Sequence, residues 1–262
     1  MRAPLRMLAA IATMLVTSTA YAQPMTASSR LDEITQRGTL RVGMTGDYRP
    51  FTHLDKTTST FSGFDVDMAE ALGRALGVKV AYVKTSWPTL LKDFEANQFD
   101  IAMGGVSITL DRQKVGLFST PVLREGKTPI ARCTDKDKFA TIADIDKADT
   151  RVIVNPGGTN ERFARANIKT AHIQVYDDNV TIFDQIAKGD ADLMMTDASE
   201  TRYQQKLHPG VLCAIHPDKP FDFAEKAYWL PRDVVLKAFV DQWLHIMTST
   251  GGFKTIYDRW FN

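Results

Sequence analysis

Long apolar runs, metal-binding motifs and an excess of one charge are all missing from this sequence. Its 262 residues contain 32 Lys and Arg against 31 Asp and Glu, so the formal net charge is +1. Nucleic-acid binding needs a basic stripe or patch, and so we expect no nucleic-acid partner. Beyond the N-terminus no segment approaches the roughly 20 apolar residues of a membrane-spanning helix, and we expect no membrane insertion.

Motifs for metals and cofactors are missing as well. The sequence has no H-E-x-x-H motif, no G-x-S-x-G nucleophile motif, and neither the P-loop nor the G-x-G-x-x-G pattern of nucleotide sites. The histidines are scattered without the spacing of metal ligands, at positions 53, 172, 208, 216 and 245. We therefore expect no metal and no cofactor.

Cysteine is limited to two residues, Cys133 and Cys213. In an oxidising compartment, two thiols far apart in the sequence are typical of a disulfide. Two buried free thiols remain the alternative. Neither cysteine has a second Cys or His at ligand spacing, so a zinc site is not indicated.

The N-terminus has the pattern of a secretory signal. Arg2 and Arg6 precede an apolar run at residues 7–16, and Ala20-Tyr21-Ala22 supplies an A-x-A cleavage site. We predict a signal peptide at residues 1–22 and a periplasmic mature protein. Because the leader carries two arginines and no acid, its removal lowers the formal net charge from +1 to −1. The remaining chain is long enough for one large domain or two ordinary ones.

Short β-branched runs alternate with helical patterns along the chain, which favours an α/β fold with parallel sheets covered by helices on both faces. The predicted strands are residues 40–44, 79–83, 101–104, 128–131, 151–154, 173–175, 193–196 and 213–216. Helices are predicted at residues 64–76, 180–188, 234–247 and 253–261, and from Asp197 to about Leu207.

Two extended segments interrupt this alternation, at residues 127–133 and 221–230. Both could cross between lobes and act as a hinge. The predicted first lobe is discontinuous, with residues 23–130 and 221–262, and the second lobe comprises residues 131–220.

Ligands of open α/β sheets bind beyond the carboxyl ends of the strands, so residues directly after strands are candidates for binding. Arg112 is the strongest of these, because its planar guanidinium can bind both oxygens of a carboxylate. The glycine-rich turn at residues 155–161 favours an anion, and a carboxylate fits better than a nucleotide phosphate. The further candidates are Asp47, Trp87, Gly105, Ser107, Thr109 and Thr159.

Asp197 and Glu200 follow the predicted strand at residues 193–196. An acid with Glu three residues later resembles a helix capping box, which would give both side chains a structural role. The alternative makes Asp197 the ligand of an ammonium group and places the Glu200 acid in the cleft. Spacing alone does not decide between these interpretations.

Three strings resemble the polar amino-acid family of solute-binding proteins: GFDVDMA at residues 63–69, SITLDRQ at 107–113 and FSTP at 118–121. This resemblance implies a type II periplasmic-binding-protein fold, with two Rossmann-like lobes joined by two hinge strands. It also implies that Thr109 and Arg112 hold a ligand's α-carboxylate and that Asp197 holds its amine.

Further strings are similar to the periplasmic cyclohexadienyl dehydratases: TGDY (45–48), TSWP (85–88), GKTPI (126–130), IVNPGGTNE (153–161), DLMMTDA (192–198) and PFDFAEKAY (220–228). That resemblance implies a lyase of phenylalanine biosynthesis that converts prephenate to phenylpyruvate and arogenate to phenylalanine. It makes Glu200 the general acid and adds Lys127, Asn155 and Asn160 to the catalytic group. The alternative is a non-catalytic amino-acid-binding protein of an ABC transporter. Homo-oligomerisation stays open.

Overall fold

The computed structural model describes residues 28–262, and the predicted signal peptide at residues 1–22 lies outside the described residues. Helix α2 (Phe64–Leu76) shows how the sequence determines the elements of the fold. Phe64, Met68 and Leu72 recur at helical spacing and are buried, and Gly77 ends the helix with a φ of 69°. A positive φ carries no steric cost at glycine, which is why this helix ends there as predicted.

The elements before the second lobe are α1 (Arg30–Arg37), β1 (Thr39–Met44), β2 (Asp47–Tyr48), β3 (Thr52–Asp55), β4 (Thr60–Ser62), α2 (Phe64–Leu76), β5 (Lys79–Lys84), α3 (Leu90–Glu95), β6 (Ile101–Ala102), α4 (Leu110–Gln113), β7 (Leu117–Phe118) and β8 (Leu123–Glu125). The second lobe contains β9 (Lys127–Arg132), a 3₁₀ helix (Cys133–Lys138), α5 (Ile142–Ile145), β10 (Arg151–Val154), α6 (Thr159–Asn167), β11 (His172–Val175), α7 (Ile182–Lys188), β12 (Leu193–Asp197), α8 (Ala198–Leu207) and β13 (Leu212–Ala214). The chain ends with β14 (Ala224–Lys226), β15 (Trp229–Leu230), α9 (Val234–Ser249) and α10 (Gly252–Phe261).

Each lobe is built on a five-stranded sheet with the same pattern of pairing. The strand order is β5-β1-β6-β15-β7 in the first lobe and β11-β10-β12-β9-β13 in the second. Apolar side chains pack on both faces of each sheet and form two buried clusters per lobe. The α/β architecture of the prediction is confirmed.

The prediction of parallel sheets is wrong for one strand in each lobe. β9 pairs antiparallel with β12 and β13, and β15 pairs antiparallel with β6 and β7. A parallel partner needs a crossover connection before it. β9 and β15 instead follow directly from the strands that cross between the lobes, so they enter their sheets from the opposite direction.

The two crossing segments form a short antiparallel pair, in which Ala224 lies opposite Glu125 and Lys226 opposite Leu123. The crossing therefore precedes the segment predicted at residues 127–133, because all of β9 belongs to the second sheet. The predicted lobe boundary between residues 130 and 131 falls inside β9.

A disulfide joins Cys133, at the start of the 3₁₀ helix, to Cys213 in β13. It connects an edge strand of the second sheet to the segment that follows β9. Within residues 28–262, no helix combines the length and apolar character needed to cross a membrane.

Candidate active site between the lobes

A small cavity lies between the lobes at the carboxyl ends of their parallel strands. Its volume is about 10 Å³, which is close to the room needed by one water molecule. The polar side chains of the two lobes therefore contact one another across a closed cleft. Its lining residues are Tyr48, Trp87, Gly105, Ser107, Asn155, Gly158, Thr159, Asn160, Asn179, Asp197 and Lys226.

Asp197 is the centre of a buried ionic cluster. It is 2% exposed, and its oxygens accept hydrogen bonds from Lys127 Nζ at 2.8 Å, Lys226 Nζ at 2.6 Å and the Tyr48 hydroxyl. Burial alone would raise the pKa of Asp197, but the two lysines outweigh burial and hold the pKa well below its usual range. Asp197 is thus a permanent anion inside the cleft.

The capping interpretation of this acid is wrong. Asp197 is the residue before α8, but within residues 28–262 its side chain makes no hydrogen bond to the first turn of that helix. The carboxylate turns to the lysines because two buried ammonium groups are stronger partners than backbone N–H groups.

Lys127 is the first residue of β9 and joins three polar side chains of the second lobe. Its Nζ donates to Asp197 Oδ1 at 2.8 Å, to Asn160 Oδ1 at 2.5 Å and to Thr159 Oγ1 at 2.9 Å. Burial lowers the pKa of Lys127, and the Asp197 carboxylate opposes that effect. The three donors of the ammonium group are all in use.

Glu200 is completely buried one layer behind the cavity. Thr196 Oγ1 donates to Glu200 Oε2 at 2.5 Å and itself accepts from Asn160 Nδ2 at 3.0 Å. In the described part of the chain Glu200 Oε1 has no hydrogen-bond partner. Burial raises the pKa of Glu200 well above its ordinary value, and the nearby carboxylates of Asp197 and Asp47 add to the effect. Burial therefore favours the protonated form of Glu200 over its carboxylate.

The glycine-rich turn before α6 brings Asn155, Thr159 and Asn160 to the cavity. Asn160 Nδ2 also donates to Asn155 Oδ1 at 3.0 Å. The N–H of Gly157, predicted to bind an anion, donates to Glu161 Oε2 at 2.7 Å. One of the expected anion-binding groups of this turn is therefore already used within the turn.

The loop after β6 is held by a buried acid from α2. Asp65 Oδ2 accepts from the N–H groups of Gly104 at 2.9 Å and Gly105 at 2.7 Å. Burial raises the pKa of Asp65 to about 6. Gly105 thus lines the cavity, but its N–H is directed to Asp65.

Arg112 is buried beside this loop, and its Nη1 donates to the carbonyl oxygen of Ser107 at 2.8 Å. Burial lowers the pKa of Arg112 to about 10, with a contribution from the positive charge of Arg162. Thr109 accepts from the N–H of Arg112 at 3.3 Å and so caps α4. Neither Thr109 nor Arg112 is among the described residues that line the cavity.

The remaining two candidates lie on the side of the first lobe. Trp87 lines the cavity and packs edge-on against Tyr48, with ring centroids 5.5 Å apart. Asp47 lies outside the lining, beside Asn179, whose Nδ2 donates to the Asp47 carbonyl oxygen at 2.9 Å. Burial raises the pKa of the Asp47 carboxyl.

Sequence reasoning missed three residues of the cluster: Tyr48, Glu125 and Lys226. Lys226 is 1% exposed and lies 3.6 Å from Glu125 Oε1, whose other oxygen accepts from the N–H of Ser199 at 2.8 Å. Tyr48 ends the two-residue strand β2, and Glu125 and Lys226 lie in the crossing strands, where polar side chains are normally solvated. A buried lysine in such a segment has no local sequence signal.

In the part of the chain that the structure describes, no three His, Cys, Asp or Glu side chains form a group that could hold a metal ion. The cluster instead combines ammonium groups, amides and carboxyl groups within one enclosed cleft. Such a cleft can bind carboxylates and deliver a proton.

A family model described as bacterial extracellular solute-binding proteins, family 3, matches residues 40–262. The chain belongs to family 3 of the bacterial extracellular solute-binding proteins. Binding of a small molecule in the cleft is consistent with family 3, as is the two-lobed type II periplasmic-binding fold.

The proteins that this chain resembles include both an enzyme and a binding protein. The chain is 56% identical over 232 residues to the cyclohexadienyl dehydratase of Pseudomonas aeruginosa, which covers 88% of this chain and 86% of that protein. An ancestral amino acid-binding protein, described as a precursor of cyclohexadienyl dehydratase, superposes with a TM-score of 0.82 at 35% identity, over 89% of this chain and all of its own.

An ancestral cyclohexadienyl dehydratase is 51% identical, with a TM-score of 0.57 and coverage of 90% of this chain and 98% of that one. Sequence identity to the enzymes is thus higher than identity to the ancestral binding protein.

Proposed function

We propose that this chain is a cyclohexadienyl dehydratase that converts prephenate to phenylpyruvate and arogenate to phenylalanine. The observation that carries the proposal is Glu200, a fully buried carboxyl group whose pKa is raised by burial, beside a cleft of cationic and amide groups. The 56% identity to a cyclohexadienyl dehydratase supports it. A carrier protein needs no protonated acid next to its ligand.

The reaction breaks two bonds and makes the ring aromatic. The ring carboxylate of prephenate leaves as CO₂, and its electron pair moves through the ring and expels the hydroxyl group at the opposite carbon. A proton converts the departing hydroxide to water, so prephenate and one proton give phenylpyruvate, CO₂ and water. Aromatisation drives the reaction, and the protein supplies the proton and a fixed geometry.

Glu200 supplies that proton. Its Oε2 is held by Thr196, which is held in turn by Asn160, so the carboxyl group has a fixed orientation. Oε1, unpartnered within residues 28–262, is left to carry the proton to the substrate hydroxyl. After each turnover Glu200 regains a proton from solvent as the cleft opens.

Cationic and amide groups hold the substrate's carboxylates. Arg112 with the turn of Thr159 and Asn160 anchors the side-chain carboxylate, while Lys127 and Asn155 orient the ring substituents. The strongest anchor belongs on the carboxylate that stays, because binding lost in the transition state slows the reaction. In the closed cleft Lys127 bonds to Thr159 and Asn160, and Asn160 bonds to Asn155. Substrate therefore enters when the lobes separate and replaces some of these contacts.

In our proposal the predicted signal peptide exports the enzyme to the periplasm. Cleavage after Ala22 would release the two-lobed protein into the periplasm, in agreement with the extracellular character of the family. The first lobe then carries the Arg112 loop and the second lobe carries Lys127 and Glu200, so catalysis requires both.

The test mixes the purified mature protein with prephenate at neutral pH and follows phenylpyruvate by its absorbance. We expect turnover in the wild type and a loss of about 10²- to 10⁴-fold in kcat for Glu200→Gln, which removes the acid but keeps its shape. Glu95→Gln, at an exposed position on α3, is the matched control and should keep full activity.

Two outcomes would refute the proposal in different ways. Unchanged turnover in Glu200→Gln would remove Glu200 from the acid role. Tight binding of an amino acid with no turnover of either substrate would place the chain among the transport proteins.

A further inference from the structure

Asn179 is a buried side chain of the cleft that the proposed mechanism does not use. It lies in the second lobe between β11 and α7, is 2% exposed and lines the cavity. Its Nδ2 donates to the Asp47 carbonyl oxygen of the first lobe at 2.9 Å. A backbone carbonyl oxygen only accepts hydrogen bonds, so this contact fixes which end of the amide faces Asp47. The Oδ1 end of the amide is left for another partner.

The Oδ1 atom of Asn179 is buried and has no hydrogen-bond partner within residues 28–262. The other side-chain oxygens of the cavity lining each take part in at least one hydrogen bond. A buried acceptor that stays unpaired costs free energy. We therefore expect Asn179 Oδ1 to accept a hydrogen bond from a donor group of the bound substrate.

The two substrates share a single donor group. The carboxylates and the oxo group of prephenate only accept hydrogen bonds at neutral pH, so its one donor is the ring hydroxyl. Arogenate has the same hydroxyl and adds an ammonium group. Asp197 Oδ1 accepts one hydrogen bond in the closed cleft and can accept another from that ammonium group. An acceptor that serves both substrates therefore fits the ring hydroxyl.

Asn179 lies at the same end of the cleft as Glu200. Together with Asp47 and Gln204 it lines a neighbouring pocket between the lobes. Gln204 follows Glu200 by one turn of α8 and so lies on the same face of this helix. The Asp47 carboxylate also contributes to the raised pKa of Glu200. A hydroxyl group bound to Asn179 is thus on the side of the cleft from which the proton comes.

We propose that Asn179 Oδ1 accepts a hydrogen bond from the ring hydroxyl of the substrate and directs a lone pair of the hydroxyl oxygen toward Glu200. This inference rests on the proposed function and adds a residue that touches the leaving group. It applies to prephenate and arogenate alike.

The hydrogen bond assists the proton transfer without any change at Asn179. As CO₂ leaves, its electron pair enters the ring, the ring C–O bond breaks and that bonding pair stays on the oxygen. The oxygen takes the proton of Glu200 and departs as water, and Glu200 becomes a carboxylate. Donation of the hydroxyl hydrogen to Asn179 makes this oxygen more basic, so that it accepts the proton of Glu200 more readily.

The experiment compares wild type and Asn179→Ala. It measures kcat/KM for prephenate and L-arogenate, and binding of phenylpyruvate by calorimetry. Phenylpyruvate lacks the ring hydroxyl, so its affinity reports closure of the lobes without the proposed contact. We expect kcat/KM for both substrates to fall about 10- to 100-fold. The affinity for phenylpyruvate should fall only about two- to fivefold, which corresponds to one lost hydrogen bond between the lobes.

Controls separate the proposed contact from general damage. Lys56→Met removes a neighbouring contact between the lobes, since Lys56 Nζ lies 3.2 Å from Asp178 Oδ2, but it leaves Asn179 in place. This exposed lysine variant should keep both kcat/KM and phenylpyruvate affinity. If Asn179→Ala does not fold by circular dichroism, Asn179→Ser replaces it with the same expectation, because the serine side chain is too short to reach the hydroxyl.

Two results would overturn this inference while leaving the dehydratase proposal intact. One is an unchanged kcat/KM in the Asn179 variant. The other is an equal loss in kcat/KM and in phenylpyruvate affinity, which would show that Asn179 acts only through closure of the lobes. A wild type that turns over neither substrate would instead refute the dehydratase proposal, and this inference with it.

Discussion

An acid followed three residues later by Glu can cap a helix or can place two carboxyl groups in a cleft. The residues around the two acids determine which of these occurs. Asp197 and Glu200 stand where a capping box would place them, at the residue before α8 and in its first turn. Asp197 turns to two lysines, and Glu200 bonds to Thr196 behind it. The surroundings thus shift the pKa values of two neighbouring carboxyl groups in opposite directions, lower for Asp197 and higher for Glu200, a pattern typical of sites for acid catalysis.

The raised pKa of Glu200 predicts how activity depends on pH. Burial raises this pKa above its ordinary value of 4.5, so the acid form persists to higher pH. We expect kcat to be constant while Glu200 is protonated and to fall about tenfold per pH unit above its pKa. The measurement is kcat for prephenate against pH, with Glu200→Gln as the variant in which this decline should disappear. A kcat that rises over the same pH range would indicate that Glu200 acts as a base and not as an acid.

Stability should follow the same titration with a defined sign. The folded chain keeps a proton on Glu200 that the unfolded chain releases above its ordinary pKa. The contribution of Glu200 to the free energy of unfolding is therefore greatest at low pH and is lost as pH rises through the raised pKa. The burial that raises the pKa of Glu200 thus lowers the stability of the fold at neutral pH, and it also favours the acid form of Glu200 that the proposed reaction needs.

Among the elements, the second lobe depends on a covalent link that the first lobe does not have within the described residues. The Cys133–Cys213 disulfide closes a loop of the chain with a sequence separation of 80. A disulfide lowers the entropy of the unfolded chain more when the loop that it closes is longer, so this disulfide should stabilise the folded state strongly. The loop contains Asn155, directly after β10, Asn160 in α6 and Asp197 in β12.

Removal of the disulfide should destabilise the second lobe without touching the site. We expect the double variant Cys133→Ala/Cys213→Ala to lose about 2–4 kcal/mol in the free energy of unfolding, measured by urea denaturation under oxidising conditions. Treatment of the wild type with reductant should reproduce that loss and leave the double variant unaffected. A double variant as stable as wild type would show that the bridge is dispensable.

For the whole molecule, closure brings two backbones into contact at the cleft. Gly157, in the second lobe, has a φ of +76°, and a Cβ there would lie 2.6 Å from Pro88 Cα in the first lobe. A side chain at this position cannot fit unless the lobes stay apart. The lack of a side chain at Gly157 is therefore a condition for the closed state.

Gly157→Ala should interfere with closure and so with catalysis. We expect kcat/KM for prephenate to fall by at least tenfold, because the groups of the two lobes no longer meet in the required geometry. Small-angle scattering with saturating phenylpyruvate should show a larger radius of gyration for the variant than for wild type.

The matched control is Gly189→Ala, which has a similar φ of +86° but only a side-chain atom of Arg132 nearby, at 3.9 Å. Both variants carry the strain of a positive φ and should lose a similar amount of stability. Only Gly157→Ala should lose activity. Equal kinetics in the two variants would contradict the role assigned to the contact with Pro88.

Local patterns were sufficient to predict much of the fold. The bounds of α2 at residues 64–76 follow from apolar spacing and a terminal glycine, and the strand at residues 151–154 follows from a short buried run. These features depend on near neighbours in the chain. The direction of β9 and β15 does not, since it is set by the route of the chain between the lobes.

The candidate site likewise has features that the sequence predicts and features that arise only on folding. The residue types that follow the strands can be read from the sequence alone, and this brought Arg112, Thr159 and Asp197 into the list of candidates, while the resemblance added Asn155 and Asn160. Folding alone brings Lys226 to Asp197 and buries Glu200 with no hydrogen-bond partner for its Oε1 within residues 28–262. Contacts between residues distant in the sequence, such as Asp197 and Lys226, which are 29 residues apart, form only on folding. These contacts, together with burial, set the charge state of the groups in the cleft.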